Sequence, residues 1–167
     1  MGLEQHREEA PCALGFAVIT VSDTRDLGTD RGGAFLVAGL EAAGHRVVRR
    51  DIVKDEADAI RGALRTAVAD PEVDLVVTTG GTGISARDVT YDTLRDLLDS
   101  EIPGFGELFR WLSREEIGSA TILSRAIGGL LERKVVLALP GSPKALALAL
   151  EQIVLPEAGH LVGQARS

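Results

Sequence analysis

Between Thr78 and Asp92 the chain reads T-T-G-G-T-G-I-S-A-R-D-V-T-Y-D, three glycines and four threonines followed by two carboxylates. The stretch follows directly on Val73-Asp74-Leu75-Val76-Val77, which reads as a buried strand. A chain can leave a strand with one glycine. Gly80, Gly81 and Gly83 together, with Thr79 and Thr82 between and beside them, indicate backbone kept bare for close approach. Such turns expose N–H groups as a concave donor surface, so the expected guest is an anion. Elsewhere Ser142-Pro143-Lys144 opens a helix, and helix N-termini favour anions through free N–H groups and the macrodipole. Lys144 adds a point charge. Asp55 and Asp88 can hold Mg²⁺, which binds through one or two carboxylates plus substrate phosphates. These parts suit phosphoryl or nucleotidyl transfer, in which positioning and charge stabilisation do most of the work.

Each part also has a plainer reading. The glycine loop is neither G-x-G-x-x-G nor G-x-x-x-x-G-K-[ST], and alone it is equally a tight strand-to-helix turn. Ser142-Pro143 alone is a helix cap, and Asp55-Glu56 alone a solvated helix start. Asp88 can cap its own loop. His6, His45 and His160 are scattered without metal-ligand spacing and read as surface residues. The phenylalanines and Trp111 between 105 and 111 read first as core, whereas a partly exposed aromatic stripe there would mark a subunit interface.

The elements that must hold these residues alternate. Residues 1–13 read as a loose tail and 14–167 as one domain. Strands are expected at 15–21, 46–53 and 73–78, and helices at 32–43, closed by Gly44, and at 56–69. Thr90 is expected to cap a helix with Leu94, Leu97 and Leu98 on its apolar face. Phe105, Leu108, Phe109 and Leu112 trace another helix face, residues 121–131 and 134–139 read as two strands joined at Glu132-Arg133, and Ser142-Pro143 starts a last helix. This order implies an α/β fold with a mostly parallel sheet covered on both faces and one antiparallel hairpin. Ligands bind outside the carboxyl ends of such strands. Four strand ends lead into Ser22-Asp23, Lys54-Asp55-Glu56, the glycine loop and Pro140–Lys144, so these four loops are expected to converge.

With 45% apolar and 26% charged residues, the chain can build a core, although at 4% aromatic content that core must be largely aliphatic. A net charge of −7 argues against a nucleic-acid partner. One cysteine, Cys12, excludes an internal disulfide and a multi-cysteine zinc site. The charged N-terminus does not read as a signal peptide, and no apolar run reaches membrane-helix length, so a cytoplasmic, soluble protein is expected.

The residues also carry a family resemblance. T-T-G-G-T-G-I-S-A-R-D-V-T at 78–90 resembles the signature of the MoaB/Mog proteins of molybdenum cofactor biosynthesis. So do V-S-D at 21–23, K-D-E at 54–56, P-G-F-G-E at 103–107, S-R at 124–125 and P-G-S-P-K at 140–144. The likeness spans roughly 15–162, and length and the 105–119 region favour the MoaB branch. Related domains occur in gephyrin, MoeA-type and CinA-like proteins. The resemblance implies a three-layer α/β/α sandwich, a homotrimer or dimer of trimers, and Mg²⁺-dependent adenylylation of molybdopterin by ATP. A molybdate-inserting, MoeA-like partner would act next. By the same resemblance Asp88 and Asp55 are the catalytic carboxylates and candidate Mg²⁺ ligands, and Thr79, Gly80, Gly81, Thr82 and Gly83 the nucleotide and phosphate loop. Ser22, Asp23, Glu107, Gly141, Ser142 and Lys144 fall on the molybdopterin side. Tyr91 departs from the proline of many relatives. Two other functions remain open at this point: a non-catalytic molybdopterin-binding or scaffold protein, and a nucleotide pyrophosphatase.

Overall fold

A computed structural model describes residues 13–167; the expected loose tail, Cys12 and His6 lie outside them, apart from Ala13. Six strands form one mixed sheet in the order β2-β1-β3-β6-β5-β4. They are β1 (Gly15–Val21), β2 (Arg46–Val53), β3 (Leu75–Thr79), β4 (Ser100–Glu101), β5 (Ile127–Leu131) and β6 (Lys134–Leu139). The first four in spatial order are mutually parallel, and β5 and β4 continue the sheet antiparallel.

Strand side chains alternate between faces, so each buried strand feeds two cores. Phe16, Val18, Leu75, Val77, Val135 and Leu137 face one layer, built from α1 (Arg31–Ala42), α4 (Pro103–Ile117), α5 (Pro143–Ala149) and α6 (Leu155–Arg166). Ala17, Ile19, Val76, Val136 and Ala138 face the other, built from α2 (Ala57–Ala69) and α3 (Thr90–Leu97). The result is the expected α/β/α sandwich.

Several local expectations change. Thr90 is not the cap of α3 but its first residue: its N–H donates to Gly81 O at 3.0 Å, so the glycine loop closes the helix start, and its hydroxyl is buried without a partner. Only Ile127–Leu131 of the 121–131 stretch is strand; Gly118–Leu123 forms a 3₁₀ turn with Ile122 77% exposed, and an apolar run facing solvent has no sheet to join. The hairpin turn at Glu132 and Arg133 takes positive φ at both residues, 49° and 63°, as a tight two-residue turn demands. Phe105 and Phe109 are core, but Trp111 is 66% exposed, because only every third or fourth side chain of α4 meets the sheet. His45 is half-buried rather than on the surface, accepting from Leu14 N at 3.3 Å and packing on Phe16, and burial holds its pKa below the usual value. His160 is also partly buried, beside Glu157 at 3.2 Å.

The helix from Pro143 runs on to Arg166 through a wide π turn at Leu150–Val154. Pro156 has no N–H to offer and crowds the carbonyl four residues back, at Gln152 within that turn. By length and composition this is a helix apolar enough to cross a membrane. Its Leu146, Leu150, Ile153, Val154 and Val162 are instead buried in the core.

Candidate functional site

Because β2, β1, β3 and β6 run parallel, their carboxyl ends share one edge, and the four loops meet there. Ser22 N donates to Val53 O at 2.8 Å, and Asp55 N to Asp23 Oδ1 at 3.2 Å, which ties the first two loops together. Gly80 N donates to Leu139 O at 3.0 Å and Thr79 Oγ1 to Pro140 O at 3.3 Å, which ties the last two.

The glycines are needed for shape. Gly80 and Gly81 take φ of +99° and +67°, where side chains are strained. A Cβ on Gly80 would strike the carbonyl of Val21. On Gly81 it would strike Thr90 Oγ1 and lie 3.0 Å from Asp55 Oδ1, and on Gly83 it would lie 2.7 Å from Asp88 Oδ2. Bare backbone thus lets both carboxylates close on the loop.

The carboxylates differ in surroundings. Asp88 Oδ2 accepts from Ser85 N at 3.0 Å, so Asp88 does cap its own loop. Asp55 is half-buried and Asp55 Oδ1 accepts a long bond from Val89 N at 3.4 Å. Burial raises the Asp55 pKa, the Val89 N–H works against the rise, and the charges of Asp88 and Asp23 add to it. Asp23 is held low, chiefly by Arg87, whose Nε donates to Asp23 Oδ2 at 2.7 Å. The Arg87 guanidinium is therefore committed to Asp23 rather than to Asp55 or Asp88. Among the described residues no three His, Cys, Asp or Glu side chains form a metal centre. Two neighbouring carboxylates, one of them paying for its charge, suit a hard divalent cation whose other ligands are substrate oxygens and water.

Two cavities flank the loop. One, of about 550 Å³, is mixed in character and is lined by Ser22, Arg25, Asp30, Arg31, Gly80 and Gly141, among others. The other, of about 210 Å³, is largely apolar and is lined by Thr82, Gly83, Phe109, Leu123, Ser124 and Ser142, among others. Ser142 Oγ also accepts from Ala145 N at 3.2 Å, so its capping role is real. Asp23 sits beside Asp55, outside both cavities. Lys144 is exposed in the first turn of α5, and Glu107 is exposed on α4; both stand outside these two cavities.

Some residues at this edge carry no motif of their own. Buried Asp30 caps α1 by accepting from Gly33 N at 2.9 Å, accepts from Thr20 Oγ1 at 2.9 Å and pairs with Arg50 at 3.2 Å. An aspartate just before a helical stretch is a capping signal, but its bond to Arg50 on β2 lies 20 positions away and leaves no local trace. Arg125 reaches the glycine loop from 33 or more residues away.

Comparison with known proteins agrees with this geometry. A family model described as "Probable molybdopterin binding domain" matches residues 17–160. Molybdenum cofactor biosynthesis protein B of Halalkalibacterium halodurans is 48% identical over 163 residues, 97% of this chain and 96% of that protein. Its Bacillus subtilis counterpart is 44% identical over 167 residues, 99% of this chain and 98% of that protein. A crystal structure of a molybdenum cofactor biosynthesis protein B superposes with a TM-score of 0.91 at 46% identity, over 95% of this chain and 99% of that one. The tungsten cofactor synthesizing protein MoaB from Pyrococcus furiosus gives 0.85 at 38% identity, over 95% and 100%.

Proposed function

The chain belongs to the molybdopterin-binding domain family, on its molybdenum cofactor biosynthesis protein B branch, and from that premise we propose that it adenylylates molybdopterin with ATP. Its place in molybdenum cofactor biosynthesis follows from the family. The observation that supports the finer reading is the approach of two carboxylates, Asp55 and Asp88, to the bare glycines of one anion-binding loop.

In the proposed reaction a terminal phosphate oxygen of molybdopterin attacks the α-phosphorus of ATP. An O–P bond forms, the bond to the bridging oxygen of the β-phosphate breaks, and pyrophosphate leaves. Main-chain N–H groups of the glycine loop hold phosphate oxygens, and the N-terminus of α5 at Ser142–Lys144 adds favourable potential on the opposite side. Asp55 and Asp88 would hold Mg²⁺, which supplies charge neutralisation of the phosphates when bound. The protein's own contribution is alignment, worth the more because both substrates are anions that repel each other. The adenylylated product suits a molybdate-inserting partner enzyme, and the cytoplasm is the proposed compartment.

Self-association belongs to the same proposal. Leu108, Trp111, Ile117, Ile122 and Leu123 leave an apolar patch on α4 and the following turn, which a second copy of the chain would cover in a trimer or a dimer of trimers.

The test is incubation with ATP, Mg²⁺ and molybdopterin, with adenylyl-molybdopterin and pyrophosphate quantified. Asp88→Asn is expected to lose turnover while melting as the wild type does. Normal turnover by Asp88→Asn would remove Asp88 from the chemistry. Tight molybdopterin binding without turnover by the unaltered protein would select a carrier role, and hydrolysis of a nucleotide diphosphate without molybdopterin would select a pyrophosphatase.

A further inference from the structure

Arg125 lies in the short segment between the 3₁₀ turn and β5, and two nitrogens of its guanidinium donate to the 82–89 loop while the third donates to the first turn of α3. Nε donates to Gly83 O at 2.8 Å, Nη2 to Asp88 O at 2.8 Å, and Nη1 to Asp92 Oδ2 at 2.9 Å. Its main-chain N–H adds a bond to Thr82 O at 3.1 Å. The guanidinium also lies over the Tyr91 ring, 5.0 Å from its centroid. Tyr91 therefore gives the arginine a face to rest on.

Its other ties lie elsewhere: Ser85 and Asp88 bond each other, Ser85 N to Asp88 Oδ2 and Asp88 N to Ser85 O, both at 3.0 Å, Arg87 holds Asp23, and Val89 N reaches Asp55, while Ile84, Ser85, Ala86 and Arg87 are exposed. Among the described residues only Arg125 joins the Gly83 end of this segment to the Asp88 main chain from outside it. A planar fork that grips the carbonyls of Gly83 and Asp88 together fixes the span between them. The Asp88 side chain leaves from that fixed span. The positive charge is already spent on two carbonyls and on Asp92, so little of it is left for a substrate phosphate.

We propose that Arg125 is the positioning residue for Asp88: it clamps the chain on both sides of that carboxylate and thereby sets where the carboxylate stands relative to Gly83 and Asp55. The inference rests on the reading of Asp88 as a working carboxylate. Arginine is required for its shape as much as its charge, because lysine offers a point charge that cannot span three acceptors in one plane.

Arg125→Lys and Arg125→Ala test this by two independent measurements on the full chain. In amide hydrogen exchange, both variants are expected to speed exchange at Ser85 and Asp88 about tenfold or more, with Val76, Val77 and Thr78 of β3 unchanged. In adenylylation, both are expected to lose about 10²-fold in kcat, the usual cost of misplacing a reacting group by an ångström, while KM for ATP and for molybdopterin moves less than about threefold. Near-normal kcat in Arg125→Lys would show that charge alone suffices and overturn the proposal. So would a raised KM for ATP at unchanged kcat, which marks a direct substrate contact, and so would unchanged exchange at Ser85 and Asp88. Faster exchange across β3 as well would reduce Arg125 to a general structural role and likewise overturn it. If the unaltered protein forms no adenylyl-molybdopterin, the adenylylation reading fails by itself, and the exchange result alone decides whether Arg125 clamps the loop.

Discussion

Gly81→Ala and Gly62→Ala add the same methyl group to the same chain and are expected to act in opposite directions. At Gly81 the backbone has φ +67°, and a left-handed conformation costs an L-residue about 1–2 kcal/mol. The new Cβ would also strike Thr90 Oγ1, a buried and short side chain at the start of α3, and stand 3.0 Å from Asp55 Oδ1 and 3.2 Å from Asp55 Oδ2. Neither neighbour is the tip of a long, flexible group, so the loop or the helix start must move. At roughly 2–4 °C per kcal/mol for a domain of this size, Gly81→Ala should melt about 2–8 °C lower. Displacing Asp55 by the order of an ångström should cut kcat about 10²-fold. Gly62 lies in the middle of α2, exposed, with nothing within 4 Å of where its Cβ would be. There alanine should stabilise by about 0.5–1 kcal/mol, raising the melting temperature by about 1–4 °C, with activity unchanged. Thermal unfolding at one protein concentration, with adenylyl-molybdopterin measured by chromatography, reads both quantities. A Gly81→Ala protein that melts and turns over like the wild type would refute the idea that bare backbone is what lets Asp55 close on the loop.

Asp55→Asn should melt higher than wild type at pH 7. The folded-state pKa of Asp55 is raised by burial and by Asp88 and Asp23, so its ionisation weakens the fold as pH rises through the carboxylate range, and the advantage of asparagine should vanish in acid, below the pKa of both states. Equal melting temperatures at pH 7 would remove that strain. Asp30→Ala deletes the cap of α1 and leaves Arg50 without its buried partner, at a cost of about 3 kcal/mol by denaturant unfolding; a loss under about 1 kcal/mol would mean that the pair is solvent-screened. Trp111→Asp should shift the protein to a smaller species in size exclusion with light scattering, and an unchanged mass would move the self-association surface elsewhere.

The strands that matter most were legible: β1, β3 and β6 are buried parallel strands and read as near-continuous apolar runs, whereas the edge strand β2 was legible from its alternating β-branched residues. Their order was enough to bring Ser22, Asp55, Gly80 and Gly141 to one edge. Residues 121–126 were not legible as a turn. Thr121-Ile122-Leu123 has strand composition, yet β5 already pairs with β6 from Ile127 onward, and Ile122 and Leu123 face solvent. Thr90 misled for a related reason: a threonine at a helix start usually caps, but Gly81 O already accepts the Thr90 N–H. The contacts of Arg125 and Asp30 lay beyond reach because their partners stand 33 to 42 and 10 to 20 positions away, where no local period extends.

The order of the sheet also bears on how the chain emerges from the ribosome. β6 is the last of the described strands to be synthesised, yet it stands in the interior of the sheet, between β3 and β5. Until it arrives, a nascent chain has one fully formed parallel edge at β3 and no route by which β5 can join the sheet, since β5 pairs only with β6 and β4. The open edge of β3 is apolar and buried in the finished protein, so a stalled or truncated chain ending near Glu132 presents a ready template for mispairing. Such a chain also lacks Gly141–Lys144. It can therefore neither hide its edge nor bring together the four loops of the candidate site.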